Sequence, residues 1–215
     1  MSGPVERDRI ADARGDIVRL NLGCGSKKLD GWINVDKITA AAPDQIVDLE
    51  GLPWPWPDDS VDEVLLSHVL EHLGAETDIY LGIIKELYRI CRDGALITII
   101  VPHPRHDHYL NDPTHVRPIT ADSIVMFSQA ANRNWIAAGI ANTPLGIYIG
   151  VDFVVEAHNS LLGEPWRTRL ERKEVSEIDV RQAAQSFNNV IQQIELTVRA
   201  VKPAGRTSAA GGQAI

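Results

Sequence analysis

The sequence predicts an α/β fold with a mostly parallel sheet, and three observations carry that expectation. Short apolar runs stop at glycine or at a carboxylate: Val18-Arg19-Leu20-Asn21-Leu22 before Gly23-Cys24-Gly25, and Trp32-Ile33-Asn34-Val35 before Asp36. Buried strands that break into ligand-binding loops end in this way. Ile79, Ile83, Leu87 and Ile90 recur at helical spacing. The branched run Ala95-Leu96-Ile97-Thr98-Ile99-Ile100-Val101 then follows, of the kind buried on both faces of a parallel sheet. Strands alternating with a helix make a layered sandwich, and 215 residues with 44% hydrophobic content suffice for one sizeable core. The domain is expected over 16–201, with a flexible polar arm over 1–15 and a disordered tail over 202–215.

Taken in order, strands are expected over 17–22 and 32–35, with a short third one at Ile46-Val47. Pro53, Pro55 and Pro57 forbid a helix and leave an extended loop. Its Trp54 and Trp56 either line a cleft or cover the edge of the core. Asp58-Asp59-Ser60 is a turn before a strand over 61–68, and the helix over 77–92 has Gly94 as its stop. Thr120 is the expected N-cap of a helix running to Ala131. Val151, Phe153 and Val155 alternate with Asp152, Val154 and Glu156 in a strand expected over 147–161. A weakly amphipathic helix over 181–188 and a last strand over 193–201 complete the chain.

The first two strand ends bear on function. Gly23 and Gly25 have no Cβ to hold a ligand off the backbone, and Asp36 can accept hydrogen bonds from the two hydroxyls of a ribose. Together they point to an adenosine-type cofactor. A dinucleotide fingerprint needs a third small residue, so that a helix N-terminus can face a pyrophosphate; Lys28 stands in that position. Only about a dozen residues separate Gly23 from Asp36, too few for a crossover of the usual length. A nicotinamide oxidoreductase is disfavoured on both counts.

The Leu22-Gly23-Cys24-Gly25 loop, followed closely by Gly31-Trp32-Ile33-Asn34-Val35-Asp36, resembles class I S-adenosylmethionine-dependent methyltransferases, in particular the type 11-like group. Val69-Leu70-Glu71-His72-Leu73 is similar to the segment that follows the fourth strand in that family. The resemblance implies a Rossmann-like three-layer sandwich, its mostly parallel sheet closed by an antiparallel C-terminal strand pair. It implies S-adenosylmethionine as cofactor, with Asn21, Leu22, Gly23, Cys24 and Gly25 at the methionine and ribose portion and Asp36 at the ribose. Asp48 and Leu49 are implied at the adenine, and Ser67 and His68 near the sulfur. Asp48 also reads as the cap of the next turn, and Glu71 and His72 as groups that hold a strand-to-helix turn. Many members of the family carry an acid two residues before the first glycine; here Asn21 offers an amide oxygen and no charge.

The segment leaving the branched strand holds four of the seven histidines, His103, His106, His108 and His115. Three readings of it stand. Imidazole titrates near neutrality and can take the proton of a substrate hydroxyl; on this reading His115 is the first nominee as catalytic base and His103 the second. His and Asp at this density can complete a coordination shell, but no spacing matches a known ligand pattern, and no metal ligand is assigned. In the third reading the imidazoles satisfy backbone groups of a loop. The resemblance implies that 112–117 shapes the substrate mouth. His106 and Asp112 are nominated as substrate contacts there, with Arg117 as a fork for an anionic group.

A formal net charge of −8 argues against a broad phosphate-binding surface, so no nucleic-acid partner is expected. No apolar run reaches the length of a membrane span and the charged N-terminus lacks a signal peptide's apolar core; a cytoplasmic location without membrane contact is expected. Cys24 and Cys91 give neither a disulfide framework nor metal spacing. The expected activity is methyl transfer to an oxygen or nitrogen nucleophile of a small or medium-sized acceptor. Its rival is a catalytically silent methyltransferase-like module that binds cofactor or partner.

Overall fold

The computed structural model describes residues 17–203; the expected arm, and the expected tail beyond Pro203, lie outside the described residues. The elements are β1 (Arg19–Leu22), β2 (Ile33–Asp36), β3 (Gln45–Ile46), β4 (Val61–Ser67), α1 (Thr77–Ile90), β5 (Cys91–Pro102) and α2 (Asp107–Leu110). There follow α3 (Ala121–Val125), α4 (Gln129–Ala137), α5 (Leu145–Ile149), β6 (Phe153–Leu162), α6 (Trp166–Glu171), α7 (Glu177–Ser186) and β7 (Ile191–Ala200). The seven strands form one sheet in the order β3-β2-β1-β4-β5-β7-β6. β1 to β5 pair in parallel, while β7 runs antiparallel to both β5 and β6. This is the α/β class expected, closed by the expected antiparallel strands. The crossover from β1 to β2 carries no helix, and that from β2 to β3 carries only a 3₁₀ turn, Thr39–Ala41.

The core lies where α1 and α3 meet the sheet. Ile84 and Leu87 of α1, Ile124 of α3 and the neighbouring Phe127 pack with Ile97 and Ile99 of β5, Phe153 of β6 and Val198 of β7. The branched run is therefore buried on one face and not on both: Ile97, Ile99 and Val101 are inside, whereas Leu96 is 40% exposed. Period-two alternation makes that division automatic once helices cover a single face of β5.

Several boundaries differ from expectation. α1 runs directly into β5 at Cys91 without a glycine stop, and Gly94 lies inside the strand at φ +80°. The last carbonyls of α1 are satisfied from outside, Arg89 O by Asp59 N–H and Ile90 O by Ser60 N–H, so a glycine cap is unnecessary. The helix after Thr120 splits, because Ser128 caps a new helix by accepting from Ala131 N–H. The strand expected over 147–161 begins only at Phe153; α5 occupies its first turn and ends at Gly150, φ +72°. α6 falls in a stretch for which no helix is expected, and α7 begins earlier than predicted, under a Ser176–Asp179 capping box.

Trp54 and Trp56 cover the core edge, edge-to-face at 5.9 Å. Their loop is clamped onto α1 by Arg89 and Glu86. Arg89 donates through Nε and Nη2 to the Glu86 carboxylate, and also to Trp54 O, Trp56 O and Asp58 Oδ1, while Glu86 accepts from Trp54 N–H. These donors, Arg89 first, hold the Glu86 carboxyl below its ordinary range. A depressed carboxyl contributes stability that is complete above the ordinary glutamate pKa and is lost as pH falls through the folded value. Glu86→Gln should cost about 1–3 kcal/mol at neutral pH, measured by urea denaturation. The gap from the unsubstituted protein should narrow once pH drops below roughly 4; a gap constant down to the acid transition would refute the clamp.

Candidate functional site

Parallel registers Leu22↔Val35 and Leu22↔Leu66 set the carboxyl ends of β1, β2 and β4 side by side, the edge at which open α/β sheets bind ligands. A cleft of about 200 Å³ opens there, lined by Gly23, Asp36, Asp48, Leu49 and His68 together with Lys37, Val47, Val69, His72 and Leu73.

Gly23 and Gly25 play different parts. Both have positive φ, +67° and +50°. A Cβ on Gly23 would stand 2.5 Å from Val69 Cγ2, whereas one on Gly25 would meet nothing within 4 Å. Gly23 is thus demanded by packing against Val69, and Gly25 faces open space. Asp36 braces the loop: Oδ2 accepts from Gly25 N–H at 2.8 Å and Oδ1 from Ile38 N–H at 2.9 Å. A carboxylate has about four acceptor sites, so Asp36 keeps two for a ligand. Asp48 has its cap, Oδ1 accepting from Glu50 N–H, and still lines the cleft.

Other expected cofactor contacts stand behind the wall. Asn21 is buried, its amide donating to Lys27 O and Asn34 Oδ1, both at 2.9 Å. Leu22 belongs to the core, and Asn21, Cys24, Gly25 and Ser67 are not among the lining residues. Burial, then the Asp36 charge, pushes the Cys24 thiol up, consistent with a packing role. His68 adopts φ +57° at the end of β4, with Nε2 3.1 Å from Gln193 Oε1. The neighbouring Glu71 carboxylate holds its imidazole above the ordinary range.

The exits of β4 and β5 are stitched together. Val116 N–H and Arg117 N–H both donate to Glu71 O, at 2.9 and 3.2 Å. His115 is thereby brought against His72, ring centroids 4.5 Å apart, and stacks on Tyr109 at 5.0 Å. Asp112 turns inward, Oδ1 accepting from Thr114 N–H and Oγ1–H, and these bonds hold its carboxyl below the ordinary range. None of His115, Asp112, His103, His106 and Arg117 is among the residues lining the cleft, and His115 stands behind His72. His103 accepts at Nδ1 from Arg105 N–H, and burial, then the Arg105 charge, keeps its imidazole low. His106 caps α2 by accepting from His108 N–H. Arg117, expected as a clamp for an anion, donates through Nη2 to Gly74 O and lies 4.2 Å from the centre of the Tyr80 ring, while its buried Nε has no hydrogen-bond partner. Lys37, Val47 and Val69 line the cleft next to nominated residues, whereas His72 and Leu73 stand four and five residues beyond His68; none of the five was singled out as a cofactor contact.

Two solved structures give the comparison. A SAM-dependent methyltransferase from Archaeoglobus fulgidus matches with TM-score 0.57 and 18% identity, over 86% of this chain and 86% of that one. The fold is that of S-adenosylmethionine-dependent methyltransferases. A second methyltransferase structure, from Methanosarcina mazei, matches with TM-score 0.52 and 13% identity, over 89% of this chain and 95% of that one. No protein-family model and no curated protein matches the sequence. No helix among the described residues is long and apolar enough to cross a membrane.

The two glycines of the loop after β1 should respond unequally to alanine. Left-handed φ alone costs about 1–2 kcal/mol, which is the expectation for Gly25→Ala. Gly23→Ala adds the overlap with Val69 and should lose a further 1–3 kcal/mol or so, read from denaturation midpoints; equal losses would contradict the packing described.

Proposed function

We propose that this protein transfers a methyl group from S-adenosylmethionine to an oxygen or nitrogen nucleophile of a small or medium-sized acceptor. The observation that carries the reading is the cleft itself, which gathers the glycine loop, Asp36, Asp48, Leu49 and His68 at one sheet edge. The lining suits the group: Asp36 would accept the ribose hydroxyls with its two open acceptor sites, and Leu49 with Val47 offers apolar surface to an adenine, while Gly25, outside the lining, puts no side chain in the way. When bound, the cofactor supplies a methyl group already made electrophilic by its sulfonium. What remains for the chain is alignment and the exclusion of water. His115 would take the acceptor's proton if the acceptor is a hydroxyl, since its Nδ1–H is held by Tyr109 O at 2.8 Å and Nε2 is the basic atom.

A second reading, a module that binds cofactor or partner without turnover, is favoured by one observation. Asn21 stands where many methyltransferases have an acid, and its amide is spent on Lys27 O and Asn34 Oδ1. Consumption of methyl donor against fractions of candidate acceptors separates the two readings.

Calorimetry should detect S-adenosylhomocysteine binding and no NAD binding. Asp36→Ala should weaken it by about 1–3 kcal/mol, the scale of hydrogen bonds to a charged group, or roughly 5- to 150-fold. Unchanged affinity would remove Asp36 from the site, and NAD binding would overturn the reading.

A further inference from the structure

Glu71 is the anomaly of the rim. It is fully buried, and neither carboxylate oxygen has a hydrogen-bond partner; its ion-pair contact is His68 Nδ1, 3.5 Å from Oε1, long for a hydrogen bond. A buried carboxylate whose one ion-pair contact is a half-exposed imidazole at 3.5 Å is costly, and a bound ion is one of the explanations such a group calls for. Two imidazoles face the same place. One ligand atom from each of Glu71, His72 and His115 lies within 4.8 Å of the others.

The hydrogen bonds around the two rings decide what they present. Thr114 Oγ1–H donates to Asp112 Oδ1 at 2.6 Å, and a hydroxyl has only one proton. His72 Nδ1, 2.9 Å from the same oxygen, must therefore donate to it. His115 Nδ1 is 2.8 Å from the Tyr109 carbonyl, which only accepts, so this nitrogen also carries its proton. Each neutral ring is left with a lone pair at Nε2. Metal-bound histidines are oriented in this manner, the far N–H given to a carbonyl, a carboxylate or a group held by one. In His72 the chain runs from imidazole to hydroxyl to carboxylate.

We propose that Glu71, His72 and His115 bind a first-row divalent cation of the zinc or iron kind, which two imidazoles and one carboxylate suit and magnesium or calcium do not. Three protein ligands leave coordination positions open, as in catalytic centres. His72 lines the cleft, so the ion stands at its rim. Resting on the methyl-transfer reading, this takes His115 out of the role of base, because its Nε2 lone pair goes to the ion, and narrows the acceptor to one with an oxygen donor, a hydroxyl or a carboxylate, whose proton the ion would make easier to lose.

The test titrates Zn2+ alone into the full chain after chelator treatment, with no methyl donor present. One equivalent should bind. Binding should vanish in His115→Ala and Glu71→Gln and weaken roughly 10- to 100-fold in Thr114→Val, which keeps every ligand but frees the His72 ring. His108→Ala, in the same loop but outside the cluster, should bind as the unsubstituted protein does. Should Glu71→Gln fail to fold, His115→Ala and Thr114→Val carry the test. Equal binding by the unsubstituted protein and His115→Ala, or equal loss in His108→Ala, overturns the site. S-adenosylhomocysteine affinity is measured on the same samples. Ion binding without it sinks the cofactor reading and leaves the metal site standing, and the reverse sinks the metal site alone.

Discussion

Parallel pairing of β1 with β2 on one side and β4 on the other is the constraint on which the rest of the molecule depends. Leu22 is the common partner of Val35 and Leu66, so the three strands stop nearly level and their exits share one edge. Any shift of one residue would turn Leu20 and Leu22 out of the core, where both are fully buried. The apolar face thus enforces the register. The register in turn delivers Gly23, Asp36 and His68 to the cleft, although they stand far apart in the chain.

A second layer of organisation is polar and lies above the sheet. Asp36 ties the glycine loop to the end of β2, and the Glu71 carbonyl ties the exit of β4 to the loop that leaves β5. Arg105 donates to Ala184 O and Gln185 O at the end of α7 and so closes the far side of that loop. Such bonds need partly buried surroundings to matter. They obtain them because the exits crowd together over the sheet edge. Cleft and rim are consequently one connected structure, with His72 in the wall and His115 immediately behind it.

Much of the fold was legible in the residues, and the reasons differ from element to element. β1, β4 and α1 carry strong periodicity and were locatable to within a few residues. α3 and α4 were read as one helix because the break at Ser128 is local capping chemistry inside a continuous helical pattern. The expected glycine stop at Gly94 failed because a turn distant in sequence, Asp59-Ser60, satisfies the helix end. In the site, Gly23, Asp36, Asp48, Leu49 and His68 were legible from strand ends and from the family resemblance. His103, His106 and Arg117 looked alike to sequence reasoning, since nothing local distinguishes an imidazole that caps a helix from one that faces a cleft.

By itself the sequence determined the α/β class, the short crossovers and the residues that close the first two strands, because all of these follow from local patterns of apolar residues, glycine and charge. Only the tertiary structure decided which polar side chains are spent on the protein's own backbone and which remain open. The Asn21 amide is spent, while Glu71 is left buried without a hydrogen bond beside two imidazoles whose other nitrogens are already held. The physical reason is that a hydrogen bond depends on distance and direction between groups brought together by the sheet. Separations of tens of residues in the chain hold no record of either.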